Sequence, residues 1–231
     1  MSFKMSDPWI SQLEHDLNWR ESELASMKAA LLEVAKGSVR YKVLLRAAWA
    51  LLYAHYEGFT KFAWDIYLEA LQGNGLARKD VSDELAMLSL LPEFNRLKSS
   101  MPAGDIWEFC CKGFAGEMQK PLAFPNRLET KSNLWPDLFC SNSKKIGMQC
   151  DQVTTNEVKL KSLVGRRNAI AHGEKLEIKD TAEYFQYEEC VVLVIHELAI
   201  AIVDSLTKRL YVKTMKAAAS PTLTVSTAIN P

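Results

Sequence analysis

The stretch KLKSLVGRRNAIAHGEK, residues 159–175, ends a helical pattern with a concentration of polar groups. Its apolar residues include Leu160, Leu163 and Val164, at the three- and four-residue spacing of an amphipathic helix. Gly173 is typical of the residue that follows a helix C-terminus, because glycine readily adopts a left-handed conformation. Four polar side chains lie at this end: Arg166, Arg167, Asn168 and His172. The stretch therefore predicts a helix whose end gathers two guanidinium groups, an amide and an imidazole.

Helical patterns on both sides of this stretch predict an all-α fold. Four helical segments precede it: 7–36, started by Asp7-Pro8 and ended by Gly37; 39–71; 81–99, interrupted at Pro92; and 105–119. The second segment is apolar and aromatic on several sides, which is typical of a central helix, and Gly58 in its middle indicates a close approach by another helix.

Two capping boxes predict where the last helices begin. Thr154 with Glu157 indicates the start of the helix that carries the polar cluster. Asp180 with Glu183 indicates the start of a last long helix, which we expect to run from Thr181 to about residue 212.

The composition changes between Lys120 and Lys145, where prolines, asparagines and serines predict irregular structure. Trp135, Leu138 and Phe139 are expected to pack part of this segment against the core. We therefore expect a single helical domain over residues 1–213, with an irregular insertion at 120–150. Residues 214–231 are small, polar and without pattern, which predicts a flexible tail.

Charge and cysteine usage limit the classes of function. The formal net charge is zero, so any nucleic-acid site must be a local basic patch. The five cysteines lack C-x-x-C spacing and are expected to be reduced thiols of a cytoplasmic protein. The N-terminal residues lack the apolar core of a signal peptide.

The longest apolar run, residues 190–203, predicts a buried helix rather than a membrane span, because it is short and contains His196 and Glu197. These two residues begin an H-E-x-x-H pattern that Ile200 interrupts, so no zinc pair is expected there. We expect neither a metal nor a cofactor.

The polar cluster suits the cleavage of RNA without a metal. A histidine titrates near neutral pH, so His172 can remove or supply a proton when the ribose 2′-OH attacks the adjacent phosphorus. Arg167 can stabilise the charge that develops on the phosphate oxygens, and Asn168 can orient the imidazole or bind a phosphate oxygen. One histidine does not easily act as both acid and base, so we expect a two-fold homodimer that brings two clusters together.

The six residues RNAIAH, from Arg167 to His172, resemble the R-x4-6-H motif of the HEPN superfamily (higher eukaryotes and prokaryotes nucleotide-binding). Domains of that superfamily are all-α and dimeric, and many are toxin or antiviral ribonucleases of bacterial conflict systems. The resemblance implies that this chain is such an endoribonuclease, and we expect a partner protein to hold it in check. The resemblance implies that Arg167 and His172 are the catalytic pair and that Asn168 supports them. It covers most of the helical chain, but not the 120–145 segment or the tail.

The aromatic helix HYEGFTKFAWDIYLEAL, residues 55–71, also resembles a helix of such nucleases, and the resemblance places Glu57 opposite the motif. Arg166 and Lys175 are expected to support RNA binding beside the catalytic residues. The sequence departs from HEPN toxins that are silenced by a nucleotidyltransferase antitoxin. Those toxins have a tyrosine three residues after the histidine, where this chain has Lys175.

Other interpretations of the same residues remain open. Cations at a helix C-terminus interact favourably with the helix dipole without any catalytic role, and Glu57 can pair with Lys61 four residues later. The aromatic residues of the second helix are more often core than a platform for bases. The alternative functions are a non-catalytic HEPN-type module that binds nucleotide, RNA or protein, and a helical scaffold without nucleic-acid contact.

Overall fold

The chain folds into helices throughout the part that the computed structural model describes, residues 8–99, 101–175, 178 and 180–213. Two isolated β-bridges occur there, but no β-strand. The helices are α1 (Pro8–Glu33), α2 (Val39–Gly73), α3 (Asp83–Ser89), α4 (Leu91–Lys98), α5 (Ala103–Glu108), α6 (Phe114–Gln119), α7 (Pro136–Lys145), α8 (Asp151–Thr155), α9 (Glu157–Ala171) and α10 (Thr181–Lys208). A 3₁₀ turn covers Arg78–Asp80, and a π-helical turn over Phe109–Gly113 joins α5 to α6. The all-α prediction is confirmed.

Helix α2 is the centre of the fold, as its aromatic composition predicts. It begins where the Ser38 hydroxyl accepts a hydrogen bond from the backbone N–H of Tyr41. It packs against α1, α9 and α10. Its largest buried side chains are aromatic: Trp49, Tyr53, Tyr56, Phe59, Trp64 and Tyr67. This concentration of buried aromatic area makes α2 the main source of hydrophobic stabilisation.

Helix α10 carries the long apolar run and packs along α2. By length and composition alone it is apolar enough to cross a membrane. In the fold, however, Val191, Val194, Ile195 and Leu198 are buried against the other helices. The prediction of a buried core helix is therefore confirmed. The helix ends at Lys208, earlier than predicted, because Arg209 adopts a left-handed conformation with φ of 54°.

Gly58 marks a close approach between α1 and α2. A Cβ atom at this position would lie 2.9 Å from Nη1 of Arg20 on α1. The Arg20 side chain is buried and pairs with Asp16 at 2.6 Å, and its Nη1 lies 3.4 Å from Nδ1 of His55. The glycine thus makes room for a buried guanidinium group.

Three local predictions are corrected by the structure. Thr154 belongs to the preceding helix α8, so the predicted Thr154–Glu157 capping box is wrong; Asn156 is the N-cap of α9, without a side-chain cap. Glu157 instead pairs with Lys161 at 2.5 Å. The 120–150 segment is more regular than expected, because α7 lies inside it. Helix α1 ends at Glu33, before the turn that contains Gly37.

The remaining predictions about the chain ends lie outside the described residues. These are the helix start at Asp7 and the flexible tail at 214–231. Within the 120–150 segment, Phe139 is fully buried, whereas the Trp135 side chain remains 38 % exposed. The segment is therefore anchored to the core, and it passes close to the end of α9.

Candidate functional site

Helix α9 places two neighbouring arginines against two successive rings of α2. Leu160, Leu163 and Val164 are buried and fix one face of α9 on the core. Arg166 and Arg167 follow three and four residues after Leu163, so they continue that face. On α2, Trp49 and Tyr53 are also four residues apart. The guanidinium carbon of Arg166 lies 4.4 Å from the Trp49 ring centroid, and that of Arg167 lies 4.6 Å from the Tyr53 ring centroid.

Arg167 is oriented by neutral groups. Its Nη1 donates hydrogen bonds to Oδ1 of Asn133 at 2.9 Å and to Oδ1 of Asn168 at 3.0 Å. Its contact with the Tyr53 ring is a cation–π interaction. Both hydrogen bonds use Nη1, so Nε and Nη2 have no hydrogen-bond partner among the described residues. The guanidinium group is thus held in place while two of its nitrogens stay free to bind phosphate oxygens.

Tyr53 connects Arg167 to Glu57. The Tyr53 hydroxyl accepts a hydrogen bond from the backbone N–H of Leu134 at 2.9 Å. The pKa of Tyr53 is raised to about 12, chiefly by burial; the hydrogen bond from the Leu134 N–H lowers it, the nearby Glu57 carboxylate raises it and Arg167 lowers it. The phenol therefore stays protonated at neutral pH. Glu57 lies one helical turn after Tyr53 and close enough to influence its hydroxyl, and its supporting role stays a prediction.

Arg166 is bound inside the fold. Its Nη2 pairs with the Glu183 carboxylate of α10 at 2.5 Å, and its guanidinium carbon lies 5.3 Å from the Tyr187 ring centroid. The Asp180 carboxylate caps this end of α10 by accepting the N–H of Glu183 at 2.9 Å, as the sequence predicts. Arg166 therefore joins α9 to α2 and α10, and its charge is already compensated by a carboxylate.

The end of α9 presents His172 to solvent. The helix ends at Ala171 and His172 is the C-cap. The N–H of Gly173 donates to the carbonyl of Ile170 at 3.1 Å, and the N–H of Glu174 donates to the carbonyl of Ala169 at 2.9 Å. With φ of 75° at Gly173, these two bonds form a Schellman motif. The motif turns the chain away immediately after the histidine, so the imidazole remains exposed.

Asn168 is the link between the arginine and the histidine. The φ and ψ of His172, −84° and 4°, continue the helical winding. His172 therefore stands about 40° around the axis from Asn168, one turn further on, and about 140° from Arg167. Asn168 contacts Arg167 through its side chain and His172 through its backbone carbonyl, which accepts the His172 N–H at 2.9 Å. No side-chain hydrogen bond joins Arg167 to His172 within one chain.

Lys175 lies beyond the Schellman motif and is exposed. It lines a cavity between the end of α9 and the α1–α2 turn.

The described residues contain no group of three or more histidine, cysteine, aspartate or glutamate side chains that could hold a metal ion.

Two residues of the site are absent from the sequence-based prediction. Asn133 lies 34 residues before Arg167 in an irregular segment, and no local pattern indicates that they meet. Tyr53 lies four residues before Glu57, so the two side chains share one face of α2. That is the face predicted to lie opposite the Arg167–His172 motif, and the spacing was therefore a usable signal. The aromatic residues were instead interpreted as core.

An all-α fold with an arginine and a histidine at the end of its penultimate helix is the arrangement that the resemblance to HEPN domains leads us to expect. A family model described as HEPN_MAE_28990-like HEPN matches residues 9–211, and the chain belongs to this family. The match includes residues 120–145, so the expectation that the resemblance excludes this segment is wrong. Neither the curated proteins nor the solved structures contain a match to this chain.

Proposed function

We propose that this protein is a metal-independent endoribonuclease that works in the cytoplasm as a homodimer. Its proposed role is that of a toxin or antiviral effector, which a partner protein holds in check. The observation that carries the proposal is the environment of the Arg167 guanidinium group. This guanidinium is fixed by two amide oxygens and a ring. Among the described residues it forms no ion pair with a carboxylate, and its Nε and Nη2 have no hydrogen-bond partner. Family membership supports the same class of function.

The proposed reaction is a transfer within the RNA strand. A His172 imidazole takes the proton of the ribose 2′-OH, and the 2′-oxygen attacks the adjacent phosphorus. The bond to the 5′-oxygen breaks, and that oxygen takes a proton from a second imidazole. Arg167 stabilises the extra negative charge on the phosphate oxygens. The products are a 2′,3′-cyclic phosphate and a 5′-OH.

The dimer supplies the second imidazole in this proposal. Within one protomer His172 is exposed and lies about 140° around the helix from Arg167. A two-fold axis beside the end of α9 brings the partner subunit's His172 into the same cleft as base or acid. The supporting roles then belong to Asn168, which joins the two catalytic positions, and to Asn133, Tyr53 and Glu57, which hold Arg167.

The test is cleavage of total bacterial RNA by the purified protein in the presence of EDTA. We expect fragments with 2′,3′-cyclic phosphate ends from the wild type, and a loss of about 10²–10⁴-fold in rate for His172→Ala. His15→Ala and Arg40→Ala are matched controls, because both residues are exposed and remote in sequence from α9. Circular dichroism of every variant excludes misfolding as the cause.

Two outcomes would contradict the proposal. Intact RNA in every lane, together with RNA binding, would identify a non-catalytic HEPN-type module. Equal cleavage by the wild type, His172→Ala and Arg167→Ala would show that the active site lies elsewhere. Expression in bacteria gives an independent comparison, in which we expect toxicity from the wild type and its disappearance with His172→Ala.

A further inference from the structure

A cavity of about 800 Å³ lies between the α1–α2 turn and the end of α9. Gly173 lines it, so it begins one residue beyond His172. Four cationic side chains, from the α1–α2 turn, the start of α2 and the segment after α9, line it: Lys36, Lys42, Arg46 and Lys175. Tyr41 and Leu45 supply an apolar wall. Its volume is in the range of pockets that enclose a small organic ligand.

The charge of this cavity is unlike that of the whole chain, whose formal net charge is zero. Two carboxylates, Glu174 and Asp180, face the four cations. Asp180 is already used as the cap of α10. None of the four cations forms an ion pair within the described residues. Among the described residues that line the cavity, four cations therefore face two carboxylates, which is a formal excess of positive charge.

The apolar wall is rigid. Tyr41 is buried, and its hydroxyl accepts the backbone N–H of Thr181 at 3.0 Å, so the start of α10 fixes its ring. Leu45 lies one turn further along α2 and is also buried. Single-stranded nucleic acid is commonly bound by an aromatic side chain together with several cations, because bases contact the ring and phosphates bind the cations.

We propose that this cavity binds a nucleotide of the RNA strand that flanks the scissile phosphate. The inference rests on the proposed ribonuclease function and extends it to the path of the substrate. The strand passes His172 and enters the cavity, where Lys42, Arg46 and Lys175 bind its phosphate and the wall of Tyr41 and Leu45 contacts its base. The cavity thus sets how the substrate lies across the catalytic groups.

Binding of a fluorescent 2′-O-methyl RNA oligonucleotide tests the inference separately from catalysis, because this probe lacks the attacking hydroxyl. The test variant is Lys42→Glu with Arg46→Glu, and the matched control is Arg40→Glu with Lys61→Glu. Both control residues are exposed cations of α2 outside the cavity, so the change in net charge is the same. Anisotropy is measured as a function of salt concentration.

We expect the test variant to bind at least tenfold more weakly than its control. We also expect the slope of log affinity against log salt to fall by about 1.4, since each phosphate contact with a single strand contributes about 0.7. Equal affinity of the two double variants would overturn the inference. If the wild type cleaves RNA in that case, the proposed function stands without this subsite.

Competition with a nucleoside monophosphate distinguishes a strand from a free nucleotide. The inference requires that the oligonucleotide bind much more tightly than the monophosphate, because the strand also contacts the catalytic groups. Equal affinities for the two would overturn it in favour of a free-nucleotide site. A different result is that the wild type does not cleave RNA but the cavity variant still binds RNA more weakly than its control. That result would support the cavity as an RNA site and would refute only the catalytic proposal.

Discussion

Arg166 and Arg167 are adjacent in sequence, and the structure gives them opposite environments. Each guanidinium lies on one aromatic ring of α2. Arg166 is paired with the Glu183 carboxylate, so the fold already uses its charge. Arg167 is held by the neutral oxygens of Asn133 and Asn168, so it is oriented without being neutralised. The two arginines thus differ in the charge of their partners, and this difference is the basis for proposing a structural role for Arg166 and a functional role for Arg167.

This difference follows from electrostatics. A guanidinium bound to a carboxylate must give up that interaction before it can bind a phosphate, whereas one held by amide oxygens keeps its full attraction for an anion. The aromatic ring contributes to both, because it restricts the side chain without adding charge. The sequence-based expectation that Arg166 supports RNA binding remains untested, but the geometry favours a role for it in joining helices.

The largest expected effect is on catalysis by Arg167→Ala. Removing the group that stabilises the developing phosphate charge is expected to lower the cleavage rate by about 10²–10³-fold. We expect a smaller change in thermal stability than for Arg166→Ala, because the substitution breaks no ion pair with a described residue. Single-turnover cleavage and thermal unfolding of the same preparation measure the two effects. A large drop in melting temperature would place Arg167 with Arg166 as a structural residue.

Arg166→Ala is expected to show the opposite behaviour. It leaves Glu183 without this cation and removes the contact with Trp49, which together are expected to cost about 2 kcal/mol of unfolding free energy. Urea unfolding measures the loss, and Lys161→Ala is the control, since its pair with Glu157 is exposed. Cleavage per folded molecule should change by less than about threefold, well below the effect of a lost catalytic contact. A hundredfold loss of cleavage would refute the structural assignment.

Asn133→Asp would make the environment of Arg167 resemble that of Arg166. The introduced carboxylate would pair with the guanidinium, and this charge-assisted bond of about 1.5–3 kcal/mol would have to break before a phosphate could bind. We therefore expect RNA affinity and cleavage to fall by about tenfold or more. Asn133→Ala removes the same hydrogen bond without adding charge. The comparison predicts that the aspartate variant is the more impaired of the two. If alanine were worse, orientation rather than charge would be the main contribution of Asn133.

A smaller effect, on the pH dependence of stability, is expected from His55, which lies beside the buried Arg20. The pKa of His55 is lowered below its ordinary value of 6.5, chiefly by burial. Arg20 also lowers this pKa, whereas Glu23 and Asp16 oppose the shift without cancelling it. Because the folded protein binds this proton less readily than the unfolded chain, stability should fall as pH decreases below about 6.5. Unfolding in urea at pH 7.5 and 5.5 measures the change. His55→Gln should weaken that dependence, and an identical slope in the variant would contradict the assignment.

The regular parts of the fold were predictable because their signals are local. The spacing of apolar residues and the Ser38–Val39 boundary define α2, and the Asp180 cap starts α10 as the sequence indicates. The Thr154–Glu157 box failed although its pattern is equally good. Thr154 lies inside α8, whose first N–H groups are instead capped by the Glu197 carboxylate of α10 at 3.0 and 2.9 Å. The helical course therefore begins earlier, at a cap that lies 45 and 46 residues away in sequence, and α9 starts without a side-chain cap.

The sequence by itself determined an all-α fold, a central aromatic helix, and a helix end that carries an arginine, an asparagine and a histidine. These features depend on residues a few positions apart, whose relation is set by helical geometry. Only the tertiary structure decided which arginine is free to bind a phosphate. That outcome depends on Glu183 and Asn133, which lie 17 and 34 residues away from their arginines and meet them only after α2, α9 and α10 have packed.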